Sequence, residues 1–218
     1  LVSGDGDTDN SSFSIESGAL VSAASFNFES KDSDSVRLRT SVAGDLSYEE
    51  VVTISVSDVN EAPSDLALDA TTIVENASTG TTVGSISSTD EDANDTFTYE
   101  LVSGDGDADN SSFSIESGVL VSAASFNFES KASYSIRLKT SDAGGLSYEE
   151  VATISVSDAN DSPTDLSIDS NVVDENADVG TVVGTVSGTD EDNGETLTFS
   201  LVSGTGDSDN ASFEISDD

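Results

Sequence analysis

The chain has 218 residues, of which 44 are acidic and 6 basic, giving a formal charge of −38 at pH 7. A surface this acidic is repelled by nucleic acid and by anionic membranes along its whole length, which excludes both as natural partners and leaves cations as the obvious ligands. Cys, His, Met and Trp are all absent, so disulfides, thiolate zinc sites, thiol nucleophiles and the commonest general base are absent with them.

No apolar run approaches the roughly 20 residues needed to cross a bilayer, so no membrane insertion is expected of this fragment. The acidity is not of the kind that produces disorder. Val, Ile, Leu, Phe and Tyr recur in short alternating runs between the charged loops, enough to build small cores.

The chain repeats itself at a period of 100 residues. Leu1-Val-Ser-Gly returns at Leu101 and Leu201, and residues 1–60 match 101–160 at all but ten positions. An acidic linker closes each unit, Asp58-Val-Asn-Glu-Ala-Pro63 and then Asp158-Ala-Asn-Asp-Ser-Pro163. The period divides the chain into the end of one unit (1–61), a whole unit (62–161) and the start of another (162–218), as expected of a piece cut from a longer array.

Within the whole unit the elements read as strands. In Thr96–Leu101, Phe97, Tyr99 and Leu101 fall on one face and Thr98 and Glu100 on the other, the period of two of a half-buried strand. Gly104-Asp-Gly, Ser117-Gly118 and Ala143-Gly-Gly145 supply turns whose glycines permit positive φ. Tyr134, Ile136 and Leu138 alternate with Ser135, Arg137 and Lys139, and Ala152, Ile154 and Val156 form the inner face of a last strand that runs straight into the linker. No 3.6-residue periodicity persists for three turns. An all-β sandwich of about seven antiparallel strands per unit follows.

All six basic residues occupy equivalent places in two units: Lys31, Arg37 and Arg39, then Lys131, Arg137 and Lys139. They form either a cationic stripe facing an acidic neighbour or, as charge runs more often do, a solvated strand face that tempers self-repulsion. Asp105-Gly-Asp-Ala-Asp-Asn-Ser-Ser-Phe-Ser-Ile-Glu116 and its copy Asp5–Glu16 place acids at positions 1, 3, 5 and 12 of an EF-hand-like loop. No flanking helices are evident and Asn110 replaces the usual Gly, which favours an exposed acidic turn over a cation site.

The junction Asp158-x-Asn-Asp-x-Pro163, the pairs Glu75-Asn76 and Glu175-Asn176, the pairs Asp90-x-Asp92 and Asp190-x-Asp192, and Phe126-Asn-Phe-Glu129 occur in a fixed order. Together they resemble cadherin repeats, above all the tandem cadherin-like repeats of bacterial surface and secreted adhesins, and the resemblance covers the whole chain. It implies Greek-key β-sandwiches arranged end to end, with calcium held between units. At the second junction the implied ligands are Glu75, Glu129, Asp158, Asn160, Asp161, Asp190 and Asp192. At the first they are Glu29, Asp58, Asn60, Glu61, Asp90, Asp92, Asn94 and Asp142. The chain departs from the family pattern where an amide, Asn27 or Asn127, stands in place of an expected carboxylate, and Val42 stands where the next unit has Asp142.

Electrostatics points the same way. Two unit charges about 4 Å apart repel by roughly 4 kcal/mol at an effective dielectric near 20, so a junction gathering six carboxylates requires a cation to close. Calcium accepts about 6 to 8 oxygens in flexible geometry, whereas magnesium demands a tight octahedron. The expected function is that of a calcium-rigidified stalk or filament body of an extracellular adhesin at the cell surface. Its partners would be calcium, neighbouring repeats, and further copies or cell-surface molecules. A carbohydrate- or protein-binding recognition module is the rival, and no enzymatic activity is expected.

Overall fold

The computed structural model describes residues 1–216. The strands in chain order are β1 (Phe13–Glu16), β2 (Ala19–Ser22), β3 (Ser33–Ser41), β4 (Ser47–Ser55), β5 (Asp65–Leu68), β6 (Thr72–Val74), β7 (Thr82–Thr89), β8 (Thr98–Leu101), β9 (Phe113–Glu116), β10 (Val119–Ser122), β11 (Ser133–Ser141), β12 (Ser147–Ser157), β13 (Asp165–Ile168) and β14 (Val186–Thr189). Helix among the described residues is confined to three short 3₁₀ turns.

Strands β5 to β12 build a sandwich of two four-stranded sheets, ordered β5-β7-β10-β9 and β6-β12-β11-β8. Its core contains Leu66, Ile73, Val83, Ile86, Phe113, Leu120, Phe126, Ile136, Leu138, Ile154 and Val156. The alternation read from the sequence is the one observed: Ile136, Leu138, Ile154 and Val156 are buried between more exposed neighbours. Phe126 anchors one end, stacked on Phe113 at 5.3 Å and meeting the edge of Tyr134 at 4.8 Å, the offset geometries that aromatic quadrupoles favour.

One pairing departs from antiparallel order. The first strand of the sandwich is split by Asp69–Thr71, so that β5 pairs antiparallel with β7 while β6 crosses to the other sheet and runs parallel to β12. The crossing is pinned by Asp69 Oδ1, which accepts from Ser85 N at 2.6 Å. It also needs a residue without a side chain at position 84, where a Cβ would lie 2.4 Å from the Ala70 carbonyl oxygen.

The flanking segments repeat the same local structure. Strands β1–β2 and β3–β4 keep the register of β9–β10 and β11–β12, with Phe13 opposite Ser22 as Phe113 is opposite Ser122. Likewise β13–β14 copies β5–β7. Burial is another matter: Leu66 is 4% exposed and its equivalent Leu166 is 69% exposed. Leu66 lies on a strand that packs against β11 and β12, and among the described residues no corresponding strands cover Leu166.

The basic residues are spent inside their own units. Arg37 pairs with Glu49 at 2.9 Å, Arg137 with Glu149 at 2.8 Å, and Lys139 with Glu100 at 3.8 Å. Lys31 joins Asp9 and Asp34, and Lys131 joins Asp109 while lying 4.5 Å from the ring centre of Tyr134. Only Arg39 lacks an ion pair among the described residues, so no stripe is left to meet a neighbour.

Candidate metal centres

Each junction shares three parts of the chain that the fold brings together, and the first adds Asp142 from the turn between β11 and β12. The shared parts are the loop following β2 or β10, the acidic linker, and the turn following β7 or β14. At the second junction β6 contributes as well, through Glu75. This carboxylate is 2% exposed and accepts from Phe128 N and Ala159 N, both at 2.7 Å. Those two bonds hold its pKa below the usual Glu value and tie β6, the Phe126–Glu129 loop and the linker to one point.

Four groups of carboxylates have oxygens within 4.8 Å of one another: Glu29, Asp58, Glu61 and Asp92; Asp90, Asp95 and Asp142; Glu75, Glu129 and Asp161; and Glu129, Asp158 and Asp192. The first two lie at the first junction and the others at the second, and Glu129 belongs to both of the latter. Twelve of the fifteen residues expected as ligands from the sequence are acidic, and eleven of them enter these groups. The twelfth, Asp190, accepts from Asp192 N at 3.0 Å and joins no group among the described residues.

The amides behave differently. Asn60 donates to Asp142 Oδ2 at 2.9 Å and to the Glu61 carbonyl, and Asn160 donates to the Asp161 carbonyl. Asn94 takes a left-handed turn conformation, with φ of 72°. Across each linker a main-chain amide also reaches the next unit, Glu61 N to Asp92 Oδ2 at 2.8 Å and Asp161 N to Asp192 Oδ2 at 2.6 Å.

Whether these residues suit a hard cation can be judged from their unmet hydrogen-bonding capacity. Seven buried side-chain polar atoms lack a partner among the described residues, and four of them are Glu61 Oε2, Asp90 Oδ2, Asp95 Oδ2 and Glu129 Oε2. Buried polar atoms are nearly always satisfied, so four orphaned carboxylate oxygens within the acidic groups fit an oxygen-seeking ion. The donor set holds no imidazole or thiolate, which matches calcium and not zinc.

Burial, followed by the charges of nearby carboxylates, raises the pKa of Glu61, Asp95, Asp158 and Asp161. Glu129 has a main-chain hydrogen bond that lowers its pKa, but burial and the charges of Glu75, Asp158 and Asp192 leave it raised. Asp142 is also desolvated, yet donors from Asn60, Leu146 and Gly145 outweigh this and leave its pKa lowered.

A raised folded pKa means the junction favours the protonated form, so this contribution is present at low pH and lost as pH rises through the raised value. Glu75 and Asp142 act with the opposite sign. In chelator, the junctions are therefore expected to tighten as pH falls from neutrality toward the ordinary carboxylate range, and to loosen below it as Glu75 and Asp142 protonate. Radius of gyration against pH checks this, and a monotonic expansion on acidification would contradict it.

Two site residues have no motif to announce them. Asp95 lies just beyond the Asp-x-Asp pair and completes the group with Asp90 and Asp142. Gly144 has no positive φ; a Cβ there would lie 2.0 Å from Asn60 Oδ1, so any side chain at this turn would displace the Asn60 amide from Asp142. The EF-hand-like loops do not assemble a site among the described residues. Asp7 and Asp107 accept from Gly4 N and Gly104 N, and Asp9 and Asp109 are occupied by Ser35 N with Lys31 and by Ser135 N with Lys131. Asp7 and Asp107 thus close the loop on itself, while Asp9 and Asp109 fasten it to β3 or β11.

Residues 69–157 match the family model of the cadherin domain. The chain is 28% identical over 193 residues to Protocadherin-23 of Homo sapiens, covering 86% of this chain and 6% of that protein. To Cadherin-4 of Caenorhabditis elegans it is 30% identical over 166 residues, covering 72% of this chain and 4% of that one. Among solved structures, extracellular cadherin domains 1–4 of protocadherin gamma B7 give a TM-score of 0.62 at 26% identity, over 84% of this chain and 47% of theirs. The chain thus spans only a small part of the length of the curated relatives it matches. Residues 69–157 therefore form a cadherin-like domain, and the all-β fold and the likeness to these multi-domain proteins extend the resemblance to cadherin-like repeats over most of the chain.

Proposed function

We propose that this chain is a calcium-stiffened spacer, the stalk or filament body of an extracellular adhesin, with units divided at 61/62 and 161/162. The observation that carries the reading is the set of buried, partnerless carboxylate oxygens at the junctions: Glu61, Asp90, Asp95 and Glu129. Calcium bound there supplies the positive charge that the sequence withholds and links carboxylates of adjacent units.

The chain's own residues do the rest. Glu75 fixes the base of the upper unit to the linker, Asp92 and Asp192 receive the linker amides, and Asn60 bridges the linker to Asp142. With the carboxylates neutralised, these contacts hold successive units in one orientation and a string of beads becomes a rod. An affinity on the order of 10⁻⁴ to 10⁻³ M, the range of extracellular modules, suits an environment where calcium is plentiful. A bacterial surface or secreted parent is part of the same proposal, and the relatives reported above are animal proteins. Kinship to cadherins supports adhesion through neighbouring repeats or further copies. A glycan-binding role finds less support, because Phe113, Phe126 and Tyr134 are spent on packing.

Small-angle X-ray scattering during a calcium titration, with magnesium as control, tests the proposal. Calcium is expected to lengthen the maximum dimension and narrow the distribution of shapes, and magnesium at equal concentration is not. A profile indifferent to calcium would reduce the acidic junctions to solvated turns.

A further inference from the structure

A contact outside the acidic groups spans each junction between the same two elements. Asn27 Nδ2 donates to Glu91 Oε2 at 2.8 Å, and Asn127 Nδ2 donates to Glu191 Oε2 at 2.6 Å. Each pair joins the loop carrying Glu29 or Glu129 to the turn carrying Asp92 or Asp192, and each is separated by 64 residues of chain. Neither Glu91 nor Glu191 enters a carboxylate group.

The orientation of these amides is fixed from behind. Asn27 Oδ1 accepts from Ser30 N and Asn127 Oδ1 from Ser130 N, both at 2.6 Å. The loop is closed further by Lys31 N and Lys131 N on the carbonyls of Asn27 and Asn127, at 3.0 Å. Turning either amide over would set two N–H groups against each other and an amide oxygen against a carboxylate, losing both bonds. The face toward the next unit is therefore an N–H donor. A donor cannot ligate a cation, but it can satisfy Glu91 or Glu191 in place of one.

We propose that each junction carries a metal-independent clasp, Asn27 to Glu91 and Asn127 to Glu191, which keeps adjacent units partly aligned without calcium and takes the place of an ion. The clasp stands on hydrogen bonds alone; its consequence for ion number rests on the calcium reading above. An array built this way loses stiffness in low calcium without losing register, so its units re-engage quickly when the ion returns.

The test exploits a conflict of sign. Glu91 and Glu191 are negative charges at crowded acidic junctions, so as mere repelling charges their removal would draw the units together. As clasp acceptors, their removal must loosen the junction despite the relieved repulsion. Dyes on cysteines introduced in exposed turns either side of a junction, the chain having none of its own, report inter-unit distance in single full-length chains.

In chelator, Glu91→Ala or Glu191→Ala is expected to cut the aligned population roughly three- to tenfold, as for one charge-assisted hydrogen bond partly open to water. An unchanged or larger aligned population would overturn the clasp. Separately, Asn27→Asp and Asn127→Asp, which replace donor by acceptor, are expected to raise the calcium stoichiometry measured by calorimetry by one ion per altered junction. An unchanged count would overturn the substitution of clasp for ion. If the native chain binds no calcium at all, the proposed function fails, while the distance measurement in chelator still decides the clasp.

Discussion

Exchanging Glu129→Gln together with Asp192→Asn is expected to abolish calcium-driven stiffening at the second junction and leave it intact at the first. Glu129 is the residue that both acidic groups of this junction share, and its Oε2 has no hydrogen-bond partner to replace an ion. Asp192 belongs to one of those groups and also accepts the Asp161 amide. The two substitutions keep shape and hydrogen-bonding capacity, since an Asn oxygen at position 192 still accepts from Asp161 N, but remove two of the charges that make the site attractive to a cation.

Losing a residue that merely orients a metal ligand already costs roughly 10- to 100-fold in affinity, so loss of two ligands is expected to exceed about 100-fold at this junction. Calorimetry should show the second-junction sites vanish while those built from Glu29, Asp58, Glu61, Asp90, Asp92, Asp95 and Asp142 persist. Scattering should show one hinge in an otherwise extended chain. Full rigidity in the double variant would sink the assignment of these ligands.

The second large effect is expected from Phe126→Ala. This ring is 1% exposed and packs against Phe113 and Tyr134. Truncating a buried Phe costs about 3–5 kcal/mol, because the lost transfer free energy is joined by that of an unfilled cavity. For a unit of about 100 residues this lowers the melting temperature of the β5–β12 sandwich by roughly 12 °C or more.

The same change should weaken calcium binding at the second junction more than at the first. The Phe126 carbonyl accepts from Asn76 N at 3.0 Å, and Asn127 and Glu129 follow directly in the chain, so the loop that presents them is held in place by the ring. Differential scanning calorimetry in chelator and in calcium separates the two consequences. A drop confined to stability, with second-junction affinity unmoved, would show that the loop holds its shape without the ring beneath it.

Much of this was legible in the residues themselves. Strand alternation such as Tyr134, Ile136 and Leu138 against Ser135, Arg137 and Lys139 is a local property, because successive side chains of an extended chain point to opposite faces whatever surrounds them. Turn chemistry is local too, and near-identical copies accordingly share one register. The acidic linkers and paired carboxylates pointed to the junctions where carboxylates gather, and with His and Cys missing the expected ion was one that takes oxygen ligands.

Only the tertiary structure decided the remainder, for reasons of distance. Asp95 has no motif, and it joins Asp90 and Asp142 only because the turn after β7 and the turn before β12 meet. Gly144 reads as a turn former, yet its role is to make room for an asparagine 84 positions earlier in the chain. The EF-hand spacing of Asp105–Glu116 was present in sequence but unused, since Lys131 and the Ser135 amide reach Asp109 from a distant strand. Asn27 and Asn127 read from sequence as lost ligands; the fold places an acceptor before each amide and makes it a contact between units.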